Sequence, residues 1–138
     1  MARILAIDYG TKRCGIAVTD PSGTFVSPLD TVASHELMNF LVRYQEKEPV
    51  SCLVMGKAMR LDDTPSESYK YARQFADAFK KRFPAVRVAW MDERFTSRMA
   101  VQEMVQAGMK KKDRRKKENI DKMSAALILS SFLEMENN

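Results

Sequence analysis

A chain of 138 residues, 45% hydrophobic and 30% charged, can bury one core but is too short for two ordinary domains. It has no run of 18 apolar residues, and its opening MARILAIDYG lacks a signal-peptide core, so neither a membrane span nor export is expected. The net charge of +5 is concentrated in residues 110–117 (KKKDRRKK), which hold seven basic residues and one acid and point to a polyanionic partner.

Residues 3–8 (RILAID) read as a buried strand. A Gly-Thr-Lys-Arg turn and a second strand follow in CGIAVTD (14–20), so a hairpin is predicted. A third strand is expected in GTFVSPL (23–29). From Ser34, the positions Leu37, Leu41 and Tyr44 share one helical face, and Pro49 ends it. VSCLVMG (50–56) is a short apolar run closed by glycine, expected as a central strand. Thr64 as N-cap, Pro65 at the first helical position and Glu67 two residues on spell a capping box. Ala72, Phe75, Ala76, Phe79 and Phe83 then form an apolar stripe that Pro84 stops.

VRVAWMDE (86–93) supplies a fifth strand ending in two acids. Thr96 or Ser97 can cap a further helix through Gln106, with Val101, Met104 and Val105 inward and Gly108 at its end. A basic loop over 109–118 leads to a last helix from about Asn119 to Glu134, whose AALILSSFL is apolar nearly all round. This order predicts an α/β fold: one domain over residues 1–138, with a five-stranded mixed sheet and helices on both faces. Ligands of such sheets bind beyond the carboxyl ends of the parallel strands.

Four acids are awkwardly placed. Asp8 ends the first strand, Asp92 and Glu93 end the fifth, and Asp121 opens an apolar helix beside small Ser124 and Ala125. Converging carboxylates repel one another, and divalent ions resolve that conflict while leaving positions open for phosphate and water. A two-metal centre of this kind suits phosphodiester cleavage. Each acid also admits a plainer role. Asp121 can favour the positive end of its helix, Asp92 can cap the next helix or pair with Arg94, and Asp8 can hydrogen-bond its own turn. Asp8-Tyr9-Gly10-Thr11 resembles the phosphate turn of sugar kinases and actin-like ATPases too, but those close two such domains on a nucleotide.

Other reactive side chains point elsewhere. Cys14 and Cys52 sit in apolar segments without metal-ligand spacing and read as buried thiols. His35 is the only histidine and reads as a surface residue, so Ser-His or Cys-His catalysis has little support. Trp90 is expected in the core, and the methionines as gap fillers.

Taken together, DYGTKRCGIAVTD, DERFTSRMAVQEM and IDKMSAALILSSFL resemble the signature segments of the YqgF family, in order and spacing, from about residue 3 to 134. These are RuvC-like proteins of ribonuclease H fold, assigned as Holliday junction resolvases or pre-16S rRNA nucleases. The resemblance implies a ribonuclease H-like sheet and hydrolysis of structured nucleic acid with Mg²⁺ or Mn²⁺, the ions held by Asp8, Glu93 and Asp121. It places a substrate-holding basic residue on Lys12 or Arg13 and another on Arg94. The role it implies is 5′-end trimming of precursor 16S rRNA in the bacterial cytoplasm, with junction resolution second.

One segment departs from the family pattern. Where a Gly-Leu-Pro-like turn and an Asn are usual, this chain reads MGKAMRLDDTPSE, keeping Gly56 but placing Ala58 and Arg60 at the altered positions. Lys57 and Arg60 are expected to add phosphate contacts there. Lys110, Lys111, Lys112, Arg114, Arg115, Lys116 and Lys117 are expected to clamp backbone phosphates, a contact that is salt-sensitive and blind to sequence. Few aromatics interleave with them, so base stacking on that loop is not expected. A monomer or weak homodimer is expected. A non-catalytic nucleic-acid binder of the same fold and a nucleotide-binding protein remain as alternatives.

Overall fold

Strand β1 (Arg3–Tyr9) and strand β2 (Arg13–Thr19) pair antiparallel around the turn at residues 10–12, and β3 (Val26–Ala33) pairs antiparallel with β2. The computed structural model describes residues 2–58, 66–92 and 117–136, the first four of the last stretch as backbone only. A 3-10 turn at Ser34–Glu36 precedes α1 (Leu37–Lys47), and β4 (Val50–Lys57) then pairs parallel with β1. Helix α2 (Glu67–Arg82) leads to β5 (Arg87–Asp92), parallel to β4, and α3 (Lys117–Glu136) is the last element. The sheet order is β3-β2-β1-β4-β5, so β1 is where the antiparallel and parallel halves meet.

Strand alternation sorts the side chains onto two unlike faces. Toward α1 and α2 point Leu5, Ile7, Ile16, Leu53 and Met55, which pack with Leu37, Leu41 and Phe79. Toward α3 point the smaller Ala6, Ala17 and Val54, which pack with Ala125, Ile128, Leu129 and Phe132. Large residues on one face and small ones on the other let α3 lie close on the small-residue side. The predicted five-stranded mixed sheet with helices on both faces is the observed fold.

Several boundaries differ from expectation, each for a local reason. Strand β3 starts at Val26, three residues later than predicted, because Asp20 organises the preceding turn. Its carboxylate accepts the backbone N–H groups of Thr24 and Phe25 at 2.9 Å each, and the Phe25 carbonyl accepts from Asp20 N at 3.0 Å. Gly23 in this turn has a φ of +74°, open to glycine without strain. Helix α2 is capped by Ser66, whose hydroxyl accepts from Tyr69 N at 3.3 Å. Glu67 is therefore the first helical residue and not the closing member of a capping box. Lys117 and Glu118 lie in α3, so the predicted basic loop ends earlier than 118. The helix predicted over 96–106, and the proposed caps Thr64 and Pro65, lie outside the described residues.

Hydrogen bonding in the Asp20 turn, first from the Ser22 hydroxyl and then from backbone N–H groups, lowers the Asp20 carboxyl to about 2. An unfolded Asp titrates near ~3.9. The turn's contribution is therefore complete above that value and is lost as pH falls through about 2. Thermal melts of Asp20→Asn and wild type should differ by a constant amount between pH 7 and pH 5. The difference should shrink below pH 4; a gap independent of pH would show that the charge does not hold the turn.

Candidate active site at the sheet end

The parallel strands bring their carboxyl ends to one edge, where β1 reaches Asp8. Register aligns Ile7 with Met55 and Met55 with Trp90, so Asp8 shares a row with Gly56 and Met91. Alternation points Asp8 toward α3 and Tyr9 toward α2. Across the hairpin, Asp8 lies opposite Gly15. A Cβ on Gly15 would overlap the Asp121 carbonyl group and come 2.9 Å from Lys122 N. The α3 backbone thus rests directly on β2 beside Asp8, and Asp121 is placed by that contact. Asp8 and Asp121 line one open cleft of about 400 Å³ with Gly10, Thr11, Lys12 and Arg13.

Charge in this cleft is partly matched within the protein. Arg13 Nε donates to Asp121 Oδ2 at 3.1 Å, with the Asp121 side chain 14% and the Arg13 side chain 35% exposed. Asp121 lies in the second turn of α3, beyond the first turn where the helix dipole acts strongly. The dipole role considered for it is therefore secondary to Arg13, a partner that sequence reasoning did not foresee. Beneath the cleft, the Cys14 thiol is buried. Burial above all, with the nearby Asp8 and Asp121 carboxylates adding to it, outweighs its bonds to Ser34 and Gly10 and pushes it up to about 11. It is a neutral packing group, as expected for a buried thiol.

The turn that carries Thr11, Lys12 and Arg13 is held from the far side of the hairpin. Ser34 Oγ donates to the Gly10 carbonyl at 2.6 Å, and Ser34 N donates to the Lys12 carbonyl at 3.0 Å. Gly10 itself has no room for a side chain, since a Cβ would come 2.5 Å from the Arg13 carbonyl oxygen. Ser34 and Gly15 were both missed as site-building residues. The glycine had a readable signal, because an isolated glycine inside a strand marks close backbone approach.

The structure thus brings together Asp8, Lys12, Arg13 and Asp121. Lys57 is not with them: it points to the α2 side, where its Nζ lies 5.3 Å from the Tyr69 ring centre. Trp90 packs edge-on against the same ring at 5.3 Å. Asp92 pairs in register with Lys57 and so also faces α2, away from Asp8. Glu93, Arg60, Arg94 and residues 110–116 lie outside the described residues, as does the side chain of Lys117. Among the described residues, no three His, Cys, Asp or Glu side chains are arranged to hold a metal. Asp8 and Asp121 offer the hard oxygen donors that Mg²⁺ and Mn²⁺ take, so the pair fits part of such a site. No helix among the described residues is long and apolar enough to cross a membrane.

Comparison with known proteins bears on the family and the fold. A family described as "RuvX: Holliday junction resolvase" matches residues 2–135. A Christiangramia forsetii protein named "Putative pre-16S rRNA nuclease" is 49% identical over 133 residues, covering 96% of this chain and 98% of its own length. A Bacteroides thetaiotaomicron protein of the same name is 46% identical over 134 residues, covering 97% of each. Among solved structures, T. thermophilus RuvC in complex with Holliday junction substrate superposes with a TM-score of 0.58 at 14% identity. That match covers 99% of this chain and 97% of the other, and it shows a shared fold.

Because α3 rests on Gly15, Gly15→Ala should destabilise the protein by about 1–3 kcal/mol, the usual range for overpacking. Urea melts should show a lowered midpoint with an unchanged slope. A wild-type midpoint would mean that α3 does not lie on Gly15.

Proposed function

The chain belongs to the RuvX family, described as Holliday junction resolvase, and on that premise we propose that it is a divalent-metal-dependent nuclease. Its proposed substrate is structured RNA, the 5′ extension of precursor 16S rRNA, in the cytoplasm. One observation carries the reading: Asp8 and Asp121 share a cleft with Lys12 and Arg13. Acids alone would suit a cation and basic residues alone a phosphate, whereas metal-assisted hydrolysis of a phosphodiester is served by both side by side.

In this reading Asp8 and Asp121, together with Glu93, would hold Mg²⁺ or Mn²⁺, as one ion or a pair. Such ions supply an activated water and offset the charge that develops on the phosphate oxygens. The chain's own residues do the rest. Lys12 and Arg13, fixed by the turn that Ser34 clamps, hold the scissile phosphate beside the carboxylates. Arg13 already pairs with Asp121. Were Asp121 to hold a cation, Arg13 would share that carboxylate and lie beside the phosphate. Arg60, Arg94 and the basic residues at 110–117 are proposed to add further phosphate contacts, as is Lys57 on the α2 side.

Relatives named for pre-16S rRNA favour RNA, while the family description favours branched DNA, so both belong in the test. Purified protein should trim a precursor 16S fragment in Mg²⁺ or Mn²⁺ and lose that activity in EDTA. Asp8→Asn and Asp121→Asn should each lower the rate at least a hundredfold while leaving binding of the RNA within a few-fold. Equal cleavage by Asp8→Asn would remove the proposed centre. Faster cutting of a four-way junction than of the RNA would reassign the substrate to DNA.

Replacing Lys110, Lys111 and Lys112 together with alanine should weaken RNA binding. It should also flatten the dependence on log salt by up to about 0.7 for each single-strand phosphate no longer neutralised. An unchanged slope in filter-binding assays between 50 and 200 mM salt would show that the segment does not touch phosphate.

A further inference from the structure

A second cavity opens next to the cleft, about 360 Å³ in volume and lined by Tyr9, Thr11, Glu67 and Tyr71. Thr11 lines both spaces, so it is their shared wall. Tyr9 follows Asp8 directly, and alternation turns it to the opposite side of β1. Whatever enters the cleft at Asp8 can therefore reach the groove by passing over the end of a single strand.

The groove's chemistry is unlike that of the cleft. Among the described residues none that line it is basic, and Glu67 is an acid, so this lining does not favour phosphate. Its walls are two tyrosines, and Tyr71 is 43% exposed, one of three large hydrophobic side chains so exposed among the described residues. Glu67 and Tyr71 are four residues apart on α2 and share a face. That face continues inward through Phe75 and Phe79. Tyr9 packs on Phe75 at 5.8 Å between ring centres, and Phe75 on Phe79 at 6.3 Å. Phe79 is buried, so the row runs from the core out to the groove and braces its Tyr9 wall.

We propose that this groove receives an unpaired nucleobase of the substrate strand, adjacent to the phosphate held at Asp8. The Tyr71 ring offers a stacking surface, and the Glu67 carboxylate accepts from an exocyclic base amine. A planar, neutral, amine-bearing ring matches an aromatic wall with one acceptor, and a phosphate does not. The site thus requires a single-stranded or frayed nucleotide beside the cut, and it favours adenine, cytosine or guanine over uracil. This inference rests on the nuclease reading above.

The test measures cleavage of RNA substrates that differ only at the flanking nucleotide: base-bearing single strand, abasic, or fully paired. Wild type should prefer the base-bearing strand about tenfold in KM. Tyr71→Ala should abolish that preference by raising KM on the base-bearing strand alone, and Tyr71→Phe should restore most of it. Glu67→Gln should reduce discrimination against uracil. Melting curves should confirm that each variant is folded, as the exposure of both side chains leads one to expect. If wild type cleaves but Tyr71→Ala loses as much on the abasic strand as on the base-bearing one, the groove does not bind a base and the nuclease reading stands. If wild type cleaves none of the substrates, both fall together.

Discussion

A helix backbone can rest on a sheet only where the sheet presents no side chain. Gly15 is that opening, opposite Asp8 in the hairpin, and the Asp121 carbonyl occupies the space a Cβ would need. The small residues Ala6, Ala17 and Val54 extend the same low surface along the sheet, so α3 stays close as it runs toward Phe132. Asp121 is consequently placed by main-chain contact and not by side-chain reach. A carboxylate held this way has little freedom to move from its neighbour, which is what pre-organisation of a site requires. The opposite face has large residues and packs on α1 and α2, so it supplies bulk to the core where the Asp8 face supplies proximity.

Proximity of two carboxylates is unfavourable without a cation, and Arg13 supplies one from within the chain. Its position depends on a turn held at both Gly10 and Lys12 by Ser34, which follows the last residue of β3. The order of dependence runs from the edge strand, through the turn, to the arginine and then to Asp121. The hairpin strands thus serve the site as much as the parallel strands do, although only the parallel strands carry their ends to it. A loop with lysine and arginine but no such clamp would satisfy the charge and still leave the arginine unplaced.

Much of this was legible in the sequence because the signals were local. Short apolar runs beside turn residues gave β1, β2 and β4, and a 3.6-residue stripe gave α2, each decided by side chains a few positions apart. Three segments far apart in the chain gave the family, which their joint order made specific. What the sequence left unreadable depended on contacts across the fold. Asp20 held the turn longer than its Ser22-Gly23 pair suggested, which delayed β3. Ser66 took the cap from Thr64 because its hydroxyl met the Tyr69 amide. The Arg13–Asp121 pair joins residues 108 positions apart, and no local pattern encodes it. Gly15 stood between legible and not: its isolation inside a strand marked close approach, but not what approached.

Asp8 and Tyr9 show how one strand end can serve two chemistries. Adjacent residues of a strand face opposite sides, so the change from carboxylate to aromatic ring occurs within about 3.3 Å of rise. On the Asp8 side lie an acid from α3 and two basic residues of the turn; on the Tyr9 side lie a phenylalanine row, a second tyrosine and an acid from α2. The two sides are kept apart by the thickness of the sheet, and among the described residues Thr11 joins them over its end. A polyanion with planar bases alternates the same two chemistries along its length. A sheet end that offers a charged side and an aromatic side, with one threonine between, can therefore engage the backbone and a base of the same strand without moving either wall.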